Sequence, residues 1–132
     1  MIPKAVQLVL ESPNDETIDA LLETEQLVWV DWRASPGDVV AELRESLTEL
    51  AVLAAVAGPG PHQSIVQANA QLVPAHEIRL CKDSAGADTL AFLVLSGPDW
   101  RSLESRFGVA GVGERFYRVQ ASPDLYEDQL PF

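Results

Sequence analysis

The segment Leu27-Val28-Trp29-Val30-Asp31-Trp32 limits the possible folds more than any other stretch of the chain. It is short, β-branched and aromatic, and it is closed within a few residues by Ser35-Pro36-Gly37-Asp38, where a capping serine and a proline at the first helical position open a helix. A strand leading directly into a helix points to an α/β architecture. Side chains alternate along a strand, so Val28, Val30 and Trp32 share one face and Trp29, Asp31 and Arg33 the other. Apolar neighbours on both faces predict that Trp29 and Trp32 are substantially buried.

The other elements follow from local signals. Residues 4–10 alternate weakly and predict a first strand at an edge. Ser12-Pro13-Asn14-Asp15 predicts a helix capped by Ser12, with Ile18, Leu21 and Leu22 on its buried stripe. The helix opened by Ser35 buries Val39, Val40, Leu43, Leu47 and Leu50 and is expected to continue through the apolar run to Gly58, although a separate buried segment over 50–57 is the alternative. Gly58-Pro59-Gly60-Pro61 reads as an internal loop, and Ser64 as the cap of a short helix through Leu72 that ends before Pro74. Residues 77–95 predict a β-hairpin turning at Asp83–Asp88, with Thr89–Leu95 apolar enough to be central and covered on both faces. A helix from Pro98-Asp99 with Trp100, Leu103 and Phe107 inward, a connecting loop over 108–113, a last strand at 115–119 and a final turn at Ser122-Pro123-Asp124 complete the chain. The expectation is one α/β domain, with α+β the close variant, in which a layer of helices packs on a mixed sheet of four or five strands.

Composition narrows the function classes. The net charge is −11, and residues 1–57 hold eleven acidic against three basic residues, a balance of −8. Such a chain is poorly suited to the nucleic-acid backbone, which is bound by Lys and Arg. No apolar run approaches the length of a membrane span or a signal peptide, and the lone Cys81 admits no internal disulfide, so a reduced, cytoplasmic protein with no membrane association is expected. The glycine-rich stretch at 108–113 follows a helix and lacks dinucleotide-binding spacing. His62 and His76 do not have metal-ligand spacing, and His62 beside a Gly-Pro turn is expected to be exposed. No cofactor, metal or catalytic residue is expected, and the balance lies against an enzyme.

Two features remain as candidate sites. Asp38, Glu42, Glu45 and Glu49 recur at spacings of four, three and four on one helix face, interrupted in charge only by Arg44, and suit contact with a basic protein partner, although a merely solvated face has the same pattern. Asp31 and Arg33 form a polar pair at the carboxyl end of the strand, where ligands collect in open α/β sheets. The structural alternative is that Asp31 receives backbone N–H groups of the next turn with Arg33 as its counter-ion. Two functional readings follow. The first is a non-catalytic acidic binding domain, in the manner of small immunity proteins that neutralise a basic partner; the second is a small-molecule-binding or hydrolytic domain joining Asp31 to one of the histidines. Oligomeric state is left open.

The residues Trp29-Val30-Asp31-Trp32-Arg33, followed by a proline-started helix, resemble an uncharacterised family of small bacterial proteins that share a Trp-hydrophobic-Asp-Trp-basic strand. The resemblance covers residues 27–50, and in weaker form 89–107. It implies a bacterial, cytoplasmic α/β protein and transfers no functional residue.

Overall fold

The computed structural model describes residues 2–47, 50 and 52–132. In chain order the elements are α1 (Lys4–Glu11), α2 (Asp15–Leu22), β1 (Leu27–Asp31), α3 (Pro36–Ser46), α4 (Pro61–Leu72), β2 (His76–Cys81), β3 (Thr89–Ser96), α5 (Gly97–Phe107), α6 (Val109–Gly113) and β4 (Phe116–Arg118), with a one-turn 3-10 helix at Lys82–Ser84 between β2 and β3. The four strands form one sheet in the order β1-β3-β2-β4. Every pairing in it is antiparallel, so the domain is of the α+β kind and the sheet is not mixed. β2 and β3 are the expected hairpin. β1 and β4 are the edges.

Helices cover both faces of the sheet, where a single layer was expected. On one face Val28, Val30, Leu90, Phe92, Val94, Ile78 and Leu80 meet Val39, Val40 and Leu43 of α3 and Ile65, Ala68 and Leu72 of α4. On the other, Leu27, Ala91, Leu93 and Leu95 meet Val6 and Val9 of α1, Leu21 of α2, Trp100 and Leu103 of α5 and Val112 of α6. The uninterrupted apolar run of β3 has its explanation in this sandwich, because alternate side chains enter different cores.

Several local expectations are corrected. Residues 4–11 are helical, because Val6 and Val9, three apart, share the buried stripe of a helix and the weak alternation does not decide. The cap of α2 is Asn14, whose side chain accepts the Thr17 N–H at 2.9 Å while Thr17 Oγ1 accepts the Asn14 N–H at 3.0 Å; this reciprocal box displaces Ser12 from the role. α3 begins as its signal predicts, with Ser35 Oγ accepting the Asp38 N–H and Asp38 Oδ2 accepting the Ser35 N–H, both at 3.1 Å.

It ends at Ser46, however, and the chain over 53–58 has no regular structure. There the backbone is served by side chains. Gln71 bonds both the N–H and the carbonyl of Ala54, Gln67 Oε1 accepts the Ala57 N–H at 2.9 Å, and the Arg44 guanidinium donates to the Leu53 carbonyl. Leu50 and Leu53 are still drawn into the core. α4 starts at Pro61, three residues before Ser64, which lies inside the helix and donates to the Gly60 carbonyl. Residues Val109–Gly113 make a short helix, not a loop.

The main correction concerns the tryptophans. Trp29 is 40% exposed and Trp32 54%, whereas Trp100 is 1% exposed. β1 lies at the sheet edge, and although Leu27 enters the core under α1 and α2, Trp29 stands on the same face past the end of that cover. Trp32 lies beyond the last residue of the strand.

Candidate functional site

The carboxyl end of β1 is organised by Asp31. Its Oδ1 accepts the Arg33 N–H at 2.9 Å and Arg33 Nε at 3.0 Å, and its Oδ2 accepts the Thr89 hydroxyl at 2.9 Å across the strand pair. The backbone hydrogen bond from Arg33, then the two side-chain bonds, hold the Asp31 carboxyl below the usual aspartate range, and the same pairing raises Arg33 above its ordinary value. Asp31 thus fixes the strand-to-helix turn.

Around that turn lie two depressions that share no lining residue. One, of about 420 Å³, is lined by Trp29, Asp31, Arg33, Thr89 and, from α3, Asp38 and Glu42. The other, of about 320 Å³, is bordered by Trp32, Asp88, Asp124, Tyr126 and Glu127 over the Pro59–Pro61 turn. Together they present six carboxylates against the single guanidinium of Arg33. Asp38, Glu42, Asp88, Asp124 and Glu127 make no ion pair among the described residues.

The structure therefore joins the two features that the sequence offered separately. Asp38 and Glu42 of the acidic stripe face the same depression as Asp31 and Arg33. Glu45 is exposed on α3 outside it, and Glu49 lies outside the described residues. Asp38 also has a structural duty through its hydrogen bond to the Ser35 N–H.

The tail forms the far wall. Tyr126 donates its hydroxyl to the Val30 carbonyl at 2.8 Å, and Asp124 Oδ1 accepts the N–H groups of Tyr126 and Glu127 at 2.9 and 3.2 Å. Burial, with Asp31 and Asp124 nearby, pushes the Tyr126 phenol far above its ordinary value, so it stays a neutral donor.

Neither histidine meets Asp31. His62 is fully buried, contrary to expectation, with Nε2 3.2 Å from the Ala121 carbonyl and Nδ1 accepting the Leu125 N–H at 3.3 Å, so that both ring nitrogens pin the tail. His76 pairs with Ser96 while Asp31 pairs with Thr89, which puts them at opposite ends of β3. Cys81 is buried in the second core, and desolvation pushes its thiol up to about 11, a state unsuited to nucleophilic attack. Among the described residues no three His, Cys, Asp or Glu side chains converge as metal ligands, and no helix is long and apolar enough to cross a membrane.

The chain matches no family model, no curated protein and no solved structure.

Sequence reasoning missed a second polar cluster on the opposite part of the sheet. Arg79 is only 3% exposed, yet it donates to both carboxylate oxygens of Glu77 at 3.2 Å and to Glu104 at 3.3 Å, and its guanidinium stacks 4.2 Å over the Trp100 ring. Trp100 Nε1 in turn donates to the Glu77 carbonyl at 2.9 Å. The donors and carboxylates satisfy one another, which is what a buried charge requires. Arg79 fits the polar and apolar alternation of its strand, so nothing local in the sequence marks it as buried.

Proposed function

We propose that this protein is a non-catalytic binding domain whose acidic, aromatic face around the end of β1 receives a basic protein partner. One observation carries the reading: the two tryptophans that the sequence would bury stand exposed beside Asp31, Asp38, Glu42 and Asp88. Each exposed tryptophan has carboxylates beside it in its own depression, the make-up of an interface hot spot, because the indole supplies apolar area and a cation-accepting π face while the carboxylates select positive charge. The excess negative charge supports the same partner chemistry. A hydrolytic role joining Asp31 to a histidine has less support, because Asp31 is engaged in its turn and both histidines are placed elsewhere.

The test is parallel co-purification from the native host with wild-type bait and with Trp29→Ala and Glu42→Lys/Glu45→Lys baits. The reading expects a basic protein retained by wild type and lost or strongly reduced with both variants. Retention of the same protein by all three baits would contradict it.

A further inference from the structure

The groove around Trp29 straddles an open sheet edge. Trp32 N–H donates to the Asp88 carbonyl at 2.9 Å, which makes the opposed residues 32 and 88 a hydrogen-bonded antiparallel pair. Pairs alternate, so Val30 and Val28 direct their backbone groups at β3, and Leu27, Trp29 and Asp31 direct theirs outward. The bonds outside the ladder agree. Leu27 N–H is taken by the Thr24 carbonyl, the Asp31 carbonyl accepts the Ala34 N–H, and on β3 the Ala91 N–H opposite Trp29 turns away from β1 to Ser84 Oγ. Among the described residues, what faces outward without a strand partner is the N–H and carbonyl of Trp29, the carbonyl of Leu27 and the N–H of Asp31. Sheets usually blunt such an edge with charged side chains, proline or a bulge; β1 has no proline or lysine, its one charge, Asp31, is engaged by Arg33 and Thr89, and it offers a half-exposed indole.

The lining of the groove fits an occupant at that edge. Trp29, Asp31 and Thr89 come from one face of the sheet, while Asp38 and Glu42 come from α3, whose buried side chains pack on the other face. The unpaired backbone runs between these two walls.

We propose that the partner's contact segment is an extended strand that adds to β1, with basic side chains set against Asp38 and Glu42. This rests on the acidic-face reading and supplies its mode of binding, in which main-chain hydrogen bonds give affinity and flanking side chains give selectivity. Charge selects the occupant. A second copy of the chain would bring its own Asp38 and Glu42 against the same carboxylates, whereas a lysine- or arginine-bearing strand complements them.

The probe is an end-blocked peptide of alternating valine and lysine, about seven residues long, titrated into isotopically labelled protein with amide exchange followed at each residue. The proposal expects saturable binding that slows exchange of the Trp29 and Asp31 amide protons at least tenfold and leaves the α3 amides unchanged. Trp29→Pro removes the outward donor at a position where an edge strand tolerates proline, and should bind at least tenfold more weakly than Trp29→Ala, which keeps it. Failure to bind overturns the proposal. So does binding without protection of Trp29 and Asp31, which leaves side-chain docking on the acidic face intact, and so does peptide-free protection that grows with protein concentration, which assigns the edge to a second copy. Strand addition that Glu42→Lys does not weaken would instead remove the acidic-face reading.

Discussion

At the scale of single residues, the three tryptophans divide by role. Trp100 is sealed between Arg79 and Phe116, with ring centroids 5.6 Å apart in the Phe116 pair, and its truncation to alanine should cost about 3–5 kcal/mol. Trp29→Ala and Trp32→Ala should each cost less than about 1.5 kcal/mol, as exposed positions do. Single-tryptophan variants check this directly, since emission from Trp29 and Trp32 should be red-shifted and quenched by acrylamide while that from Trp100 is blue-shifted and shielded. Asp31 makes a pH prediction. Its folded-state pKa is depressed, so its stabilising effect is present above the ordinary aspartate pKa of about 4 and is lost as pH falls through the lower folded value. Denaturation midpoints of wild type and Asp31→Asn should therefore differ at neutral pH and converge below about pH 4. A constant gap across that range would show that the carboxylate charge does not matter to the turn.

At the scale of elements, legibility followed the strength of local chemistry. α3 and α5 announce themselves because each has serine at the cap, aspartate at the third position and proline in the first turn, first in α3 and second in α5, and in both the serine hydroxyl accepts the aspartate N–H. The β2–β3 hairpin and the doubly buried β3 were legible from a turn-forming stretch followed by an unbroken apolar run. The end of α3 was not, because the apolar run over 50–57 has no helical stop signal in its sequence, and the backbone of Ala54 and Ala57 is served by glutamines seventeen and ten residues later. His62 was illegible for a related reason: its partners, Ala121 and Leu125, lie about sixty positions away. It is the link between α4 and the tail that forms one wall of the Trp32 depression. His62→Ala should cost about 2–4 kcal/mol through the cavity and the orphaned backbone groups, and should make the chain after residue 119 susceptible to limited proteolysis. Wild-type resistance in the variant would mean that Tyr126 and Leu125 hold the tail without it.

At the scale of the whole molecule, the candidate face depends on the strand order, which no local pattern reveals. The alternation along β1 assigned the correct side-chain faces, but burial of Trp29 and Trp32 presupposed neighbours on both sides, and β1 has β3 on one side only. The same edge position brings α3 beside β1 and makes one surface of Asp31, Asp38 and Glu42. Arginines on the rest of the molecule are largely spent on internal pairs, Arg79 and Arg118 with Glu77, Arg115 with Asp83 and Arg106 with Glu11, so the carboxylates beside the exposed tryptophans dominate the local field. The most direct measurement of the account is the association rate of the co-purified partner with wild type and with Glu42→Lys/Glu45→Lys at rising ionic strength. Exposed charges are screened beyond about 8–10 Å at physiological salt, so the wild-type rate should fall steeply as salt is added, and the double reversal should slow association at low salt while leaving the fold intact. An association rate indifferent to both salt and charge reversal would contradict the account and leave the acidic face of α3 as a solvated surface.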